Sequence, residues 1–317
     1  MPLSLTTLNL LGRRAMNWFS SISREILRWY LRKFPLRDGK TFFYQRLSPR
    51  LTPPERFVTA ALDAGFSMKL DLRDAVQRRM YFYGDYDERY EAKMIRRLLD
   101  KGEIFWDIGA NIGYFSLLAA AALQHSGRVI AFEPGQVAYA RLMDNIALNP
   151  FRNITTFNLA VTDREGEAAL YLAAETADGC ASLYGAGGEV TAQEICRTVS
   201  LDGFAPSHAL PGPDFIKIDV EGAELFVLRG AREMLAASRP LVLVELKAET
   251  LAASGTDKHE IQELLAGYGY VPSYPYKRKW YRARDVSEVK SRNLLWFDPQ
   301  VKAHREKTGR LPIIEPR

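Results

Sequence analysis

The sequence predicts an α/β fold in which a mainly parallel sheet carries helices on both faces. Three observations predict it. Short apolar runs alternate with amphipathic segments from residue 104 onward, the first run opens into a glycine-bounded turn, and two later runs end in acidic residues. Alternating strands and helices cover both faces of a parallel sheet, and ligands then bind at the carboxyl ends of the strands.

Residues 15–33 suit an amphipathic helix. At 100° per residue, Trp18, Ile22, Ile26 and Trp29 share one face and Arg24, Arg28 and Arg32 the opposite one. Three readings stay open for it: packing on the main domain, a membrane-surface helix with arginines near anionic headgroups, or self-association. Pro35, Pro49, Pro53 and Pro54 mark a linker or irregular cap. Residues 66–74 alternate like an edge strand. A helix is expected from Glu88 to Leu99. Residues 1–79 therefore read as a basic N-terminal extension, 80–300 as the main domain and 301–317 as a tail.

In the main domain Ile104–Trp106 is a strand, and a helix begins near Gly113. Val129–Phe132 is a second strand ending at Glu133-Pro134, followed by a helix over Val137–Leu148 and a third strand over Ile154–Leu159. Residues 163–172 turn into another strand, Gly179–Gly188 read as a mobile loop, and residues 197–201 are extended. Asp214–Val220 is a strand ending in acid, with a helix from Gly222 to Ala237. Leu241–Leu246, a helix over His259–Ala266, and strands at Tyr270–Tyr274 and Asn293–Phe297 complete the pattern.

The chain is 47% hydrophobic and 26% charged, which describes an ordinary globular protein. Nothing reaches the ~18 consecutive apolar residues of a membrane span. Cys180 and Cys196 form no C-x-x-C pattern, so a reducing compartment is expected and a structural zinc site is not. The apolar start precedes Arg13 and Arg14, the reverse of a secretory signal. Residues 1–50 hold ten Lys and Arg against Glu25 and Asp38, a net of +8, which leaves −3 for residues 51–317. That asymmetry directs an acidic partner to the N-terminal segment and argues against a nucleic-acid enzyme.

The turn after the first strand carries Gly109 and Gly113 with Asn111 between them, a residue that tolerates left-handed backbone. A dinucleotide fingerprint requires G-x-G-x-x-G, because backbone amides cradle a pyrophosphate. Here the middle glycine is missing and Asp107 precedes the loop. A carboxylate there repels pyrophosphate and suits the ammonium end of S-adenosylmethionine. Glu133, 24 residues after Gly109, closes the second strand where an acid accepts from both ribose hydroxyls.

The strings FWDIGANIGYFSL, VIAFEP, RLMDNIALN, VSLDGF, FIKIDVEGAELFVLRGA and NLLWF resemble the FkbM family of S-adenosylmethionine-dependent methyltransferases, over about residues 80–297. The resemblance implies the class I methyltransferase (Rossmann-like) fold, a seven-stranded sheet with its last strand antiparallel. Carried over by position, Asp107, Gly109, Ala110, Asn111 and Gly113 hold the methionine part and Glu133 the ribose. Ala160 and Val161 lie by the adenine, where relatives in the wider superfamily place an acid that this chain lacks; Asp163 stands nearby. Tyr90-Glu91 resembles the segment that closes over the cofactor.

The Asp219-Val220-Glu221-Gly222 turn is the expected site of catalysis. Methyl transfer is an in-line displacement, so positioning does much of it, but a sugar-like hydroxyl also needs a base within hydrogen-bond reach. Asp219, Glu221 and Glu245 are the candidates. Each also has a structural reading as a helix cap or an orienting group. Glu224 is assigned to the first turn of the following helix. No metal is expected, although these acids offer oxygen ligands. His208 is read as a solvated loop residue, and Lys277-Arg278-Lys279 as an exposed hairpin.

The expected function is methyl transfer to a hydroxyl of a sugar, glycan or secondary metabolite. Methylation of nitrogen or of a macromolecule is the alternative within the enzyme class. A non-catalytic module of a membrane-associated complex is the alternative outside it. The expected location is cytoplasmic, with peripheral membrane contact through residues 15–33 and oligomerisation as further possibilities.

Overall fold

Residues 104–108 form the third strand from one edge of a nine-stranded sheet, flanked on either side by parallel neighbours. The computed structural model describes residues 20–35, 38–86, 88–124, 126–173, 181–185, 190–277 and 279–314. The chain divides into two units, Met1–Asp87 and Glu88–Arg317.

The first unit holds α1 (residues 20–33), α2 (Lys40–Leu51), an antiparallel hairpin of β1 (Phe57–Ala61) and β2 (Ser67–Asp71), and α3 (Ala75–Tyr83). Asp74 caps α3 by accepting from the Gln77 amide at 2.8 Å. The boundary expected after residue 79 thus falls inside α3. Val58 and Leu70 pair in the hairpin, and Ser67–Asp71 is the strand expected within residues 66–74. In α1 the arginine side packs inward. Leu27 and Leu31 are buried. Arg24 donates to the Leu51 carbonyl, Arg28 to that of Tyr81, and Arg32 to those of Ala61, Tyr81 and Phe82. Trp18 and the other residues before position 20 lie outside the described residues.

The second unit starts with α4 (Arg89–Leu98), β3 (Ile104–Ile108), α5 (Tyr114–Ala122), β4 (Arg128–Phe132), α6 (Gln136–Ala147) and β5 (Ile154–Phe157). β6 (Ala160–Val161), β7 (Gly166–Ala173), β8 (Ala181–Ser182) and β9 (Val190–Val199) form a separate four-stranded sheet in the order β6-β9-β7-β8. Then come α7 (Leu201–Ser207), β10 (Phe215–Ile218), α8 (Glu224–Arg229), α9 (Arg232–Ser238), β11 (Leu241–Glu245), α10 (Ala248–Ala253) and α11 (Lys258–Gly267). The unit closes with β12 (Val271–Tyr276), β13 (Lys279–Arg282), β14 (Asn293–Phe297), α12 (Lys302–Thr308) and β15 (Ile313–Ile314).

The large sheet runs β15-β13-β12-β14-β11-β10-β3-β4-β5. Seven of these follow the expected arrangement, with β14 antiparallel between β11 and β12. β13 and β15 extend the edge, and within the expected tail Lys302–Thr308 is helical and Ile313–Ile314 pairs with β13. Strand residues Trp106, Ile108, Ile130, Phe132, Ile216, Val242 and Trp296 belong to one buried cluster, each removing ~1.5–3 kcal/mol of apolar surface from water. The helix expected over Gly222–Ala237 is two helices. The Asp202 carboxylate accepts from the amides of Glu233 and Met234 and starts α9 afresh. Among the described residues no helix is long and apolar enough to cross a membrane.

Candidate active site

The carboxyl ends of β3, β4, β10 and β11 bring most of the expected residues together. Asp107 in β3 lies beside Lys217 of β10 in the parallel register. It is fully buried; Ser116 Oγ donates to its Oδ2 at 2.6 Å, while Oδ1 has no partner among the described residues. Burial pushes its carboxyl up, against the pull of Lys217 and Ser116. A buried carboxylate oxygen with a vacant lone pair fits a ligand's ammonium.

The turn after β3 is shaped by two close approaches. Gly109 has φ +84°, and a Cβ there meets the Asp219 carbonyl oxygen at 1.8 Å. Gly113 has φ +93°, and its Cβ meets Leu142 Cδ1 at 2.5 Å. Only glycine serves at either position. Ala110 is buried against Ala131 and Leu142, and its amide donates to the Phe132 carbonyl. Asn111 adopts φ +48°, and its amide donates to Glu133 Oε2 at 2.8 Å. Gly135 donates to Glu133 Oε1 at 2.9 Å. Burial nevertheless pushes Glu133 up to about 7. The first turn of α5 has no side-chain cap, and the Ser116 amide in that turn donates to Asp107. One cation-accepting end and one hydroxyl-accepting end therefore flank a single turn.

The turn expected to be catalytic, Asp219 to Gly222, follows β10. Lys217, nearly fully buried, donates to Asp219 Oδ2 at 2.9 Å and stands 4.8 Å from the Phe115 ring. Burial alone would lower Lys217, but Asp219, Asp107 and Glu88 hold it charged. Burial would raise Asp219, yet Lys217, a hydrogen bond from Glu245 and Lys247 together hold it below the usual carboxylate range. Burial and the charge of Asp219 push Glu245 up to about 10, so it keeps its proton and donates to Asp219. Glu245, one of the three expected candidates for the base, stands here as a hydrogen-bond donor to Asp219.

Glu221 adopts φ +51°, a conformation costly outside glycine and asparagine. Three contacts hold it there. Lys247 donates to its Oε1 at 2.6 Å, Ser182 Oγ donates to its carbonyl at 2.7 Å, and Glu224 accepts the Gly222 amide at 3.1 Å. Ser182 belongs to residues 181–185, which β8 anchors within the segment expected to be a mobile loop; residues 179–180 and 186–188 of that segment lie outside the described residues. Oxygen atoms of Asp219, Glu221 and Glu245 lie within 4.8 Å of one another. Lys247 bonds two of the three acids, reaching Glu245 Oε2 at 3.0 Å. A cation is thus already built into the group.

Glu91, in α4, is buried and raised by that burial; the side chain of Asn293 donates to it and to Glu88. Glu88, half-buried at the start of α4, is pushed up to about 7 by burial and by the charge of Asp219. Ala160 and Val161 are placed differently from the rest. The methyl of Ala160 packs with Leu170 and Cys196, and Val161 joins the main core. Their side chains are spent on packing. Nearby, Asn158 donates to the carbonyls of Glu133 and Pro134. His208 stacks on Phe204 at 3.8 Å, and nothing joins it to the acidic cluster.

A model of the methyltransferase FkbM domain matches residues 107–272, just over half of the chain. The chain belongs to the FkbM methyltransferase family. Its sheet, with β14 antiparallel, is that of the class I methyltransferases. Among curated proteins it is 29% identical over 183 residues to the hexuronic acid methyltransferase AglP of Haloferax volcanii, covering 57% of this chain and 70% of AglP. It is 25% identical over 199 residues to the 2-O-methyltransferase NoeI of Sinorhizobium fredii, covering 58% and 79%. A solved FkbM methyltransferase from Methylobacillus flagellatus aligns at TM-score 0.41 and 18% identity, over 63% of this chain and 45% of that one. Membership makes the protein a methyltransferase by class and implies a methyl donor.

The residues missed from sequence are Lys217, Lys247, Glu88, Asn145 and Asn293. The two lysines carried a signal. Each stands two residues from an acid of the site, as strand periodicity requires of residues on one face. Asn145 is fully buried in α6 and donates to the Ile112 carbonyl at 2.8 Å, fixing the turn from behind.

Proposed function

We propose that the methyltransferase moves the methyl group of S-adenosylmethionine to a hydroxyl oxygen of a sugar-like acceptor. The unpartnered Oδ1 of Asp107 carries this reading, because it calls for a cation where the methionine ammonium would lie. Asp107 would hold that ammonium and Glu133 the ribose hydroxyls. The bound donor supplies an electrophilic methyl group on a sulfonium.

The chain's own residues then orient the acceptor and take its proton. Asp219, kept ionised by Lys217, accepts a hydrogen bond from a hydroxyl adjacent to the reacting one and aligns the acceptor for in-line attack. Glu245 stays protonated behind it. Glu88, which faces Asp219 and titrates near neutrality, takes the hydroxyl proton as the new C–O bond forms and the C–S bond breaks. Glu221 and Lys247 position the turn. The acceptor class draws on AglP, which methylates a hexuronic acid, and NoeI, a 2-O-methyltransferase.

Calorimetry with S-adenosylmethionine, followed by mass spectrometry of a panel of hexuronic acids and hexosides, tests both halves. Donor binding and a 14-dalton product are expected. Absence of heat at about 1 mM donor, the upper end of ordinary KM values, overturns the donor assignment. Binding with methylation only of amines overturns the acceptor.

A further inference from the structure

Helices α1 and α2 display a continuous apolar surface. Ile22, Ile26 and Trp29 are 39%, 61% and 58% exposed, and Phe42 and Phe43 are 64% and 42% exposed. Ring contacts connect the two helices. Trp29 meets Phe34 at 6.2 Å, Phe34 meets Tyr30 at 5.2 Å, Tyr30 meets Phe43 at 5.4 Å, and Phe43 meets Phe42 at 5.6 Å. Scattered apolar residues on a surface need no explanation, but a joined run of five rings with two isoleucines does.

This face cannot roll inward, because the other side of α1 is fixed. Arg24, Arg28 and Arg32 bond five times to backbone carbonyls of the same unit, and Arg28 lies 4.3 Å over the Tyr81 ring. Those arginines donate mainly to neutral carbonyls, although Arg28 also pairs with Glu25 and Arg32 lies 3.9 Å from Asp63. Residues 1–87 hold fifteen Lys and Arg against eight Asp and Glu, a net of +7, whereas residues 88–317 hold 28 against 30, a net of −2. Arg46 and Arg50 are exposed on α2 itself.

We infer that this surface docks on an anionic phospholipid bilayer, with α1 and α2 lying in the plane of the interface. Tryptophan and phenylalanine settle at the boundary between headgroups and acyl chains, and basic residues around them are drawn to anionic headgroups. Charge selects the bilayer over a second copy of the chain. Two copies would bring +7 against +7, whereas an anionic leaflet complements it. The expectation for residues 15–33 is sharpened in one respect. The aromatic face makes the contact, and Arg24, Arg28 and Arg32 hold the helix to the protein.

Co-sedimentation of the full chain with phosphatidylcholine vesicles, with and without phosphatidylglycerol, tests this. Binding is expected to the anionic vesicles, and a variant carrying Ile26→Ser, Trp29→Ser and Phe42→Ser is expected to lose about tenfold or more, since each residue contributes apolar burial. The unfolding temperature and donor binding of the variant, measured alongside, show whether its fold is intact. No sedimentation of the parent chain, or equal sedimentation of the variant, overturns the inference. So does a dimer in light scattering that the same substitutions dissociate while the parent ignores vesicles.

Discussion

The Lys247 ammonium donates to Glu221 Oε1 at 2.6 Å and reaches Glu245 Oε2 at 3.0 Å, so an internal cation serves acids that would otherwise attract a metal. Turnover is therefore expected to survive EDTA unchanged. Lys247→Met leaves the acids without that cation, and the variant, unlike the parent, is expected to gain thermal stability from Mg²⁺ or Ca²⁺. Loss of parent activity in EDTA, measured by product mass, would falsify the assignment.

Lys217 neutralises Asp107 and Asp219 from within the core. Lys217→Met leaves buried carboxylates without their counter-charge, which costs roughly 3–5 kcal/mol. Urea denaturation measures this. A cost below about 1 kcal/mol would mean that the ion pair is dispensable.

If Glu88 accepts the proton, kcat rises with pH through about 7, because only the ionised carboxylate can act. Glu88→Gln is expected to lose roughly 10²–10⁴-fold in kcat while keeping donor affinity. A pH profile left unchanged by the substitution would remove Glu88 from the reaction.

Gly109→Ala introduces a methyl group 1.8 Å from the Asp219 carbonyl oxygen, at φ +84°. The backbone conformation alone costs ~1–2 kcal/mol, and relief of the clash must separate the donor turn from the catalytic turn. Donor affinity and kcat are expected to fall together. Calorimetry and steady-state rates on the same preparation check whether either falls alone.

Glu133 couples stability to pH. Its folded value of about 7 lies above the ordinary 4.5, so the native state binds more protons between these values. The stability present below pH 4.5 is lost as pH rises through 7, by about 3 kcal/mol. The difference in unfolding free energy between pH 5 and pH 8 is therefore expected to shrink in Glu133→Gln. A slope identical to that of the parent would show that Glu133 ionises freely.

The strand-to-helix alternation was legible because β3, β4, β10 and β11 are mostly apolar, as buried parallel strands tend to be, with a single charged residue in each. Asp107, Gly109 and Glu133 were legible for a different reason: each sits at a strand end or tight turn where few residue types serve. The orientation of α1 was not. Periodicity tells which residues share a face, but arginines can face inward when carbonyls receive them, as those of Ala61, Tyr81 and Phe82 receive Arg32. The small β6–β9 sheet was also hidden, because Ser182 reaches the catalytic turn from 39 residues away and no local pattern encodes that contact. Ala160 and Val161 were placed by resemblance alone, and their side chains are buried among apolar neighbours.

Near the chain's end, Arg310 grips Asp100 at 2.7 and 2.8 Å, and Lys307 meets Glu103 at 2.5 Å. These contacts join the turn before the first central strand to the final helix, across 210 residues of sequence. Synthesis on the ribosome proceeds from the other end, so the donor turn emerges long before the clasp that backs it. A chain ending before residue 300 would carry the donor motif without the Arg310–Asp100 and Lys307–Glu103 pairs.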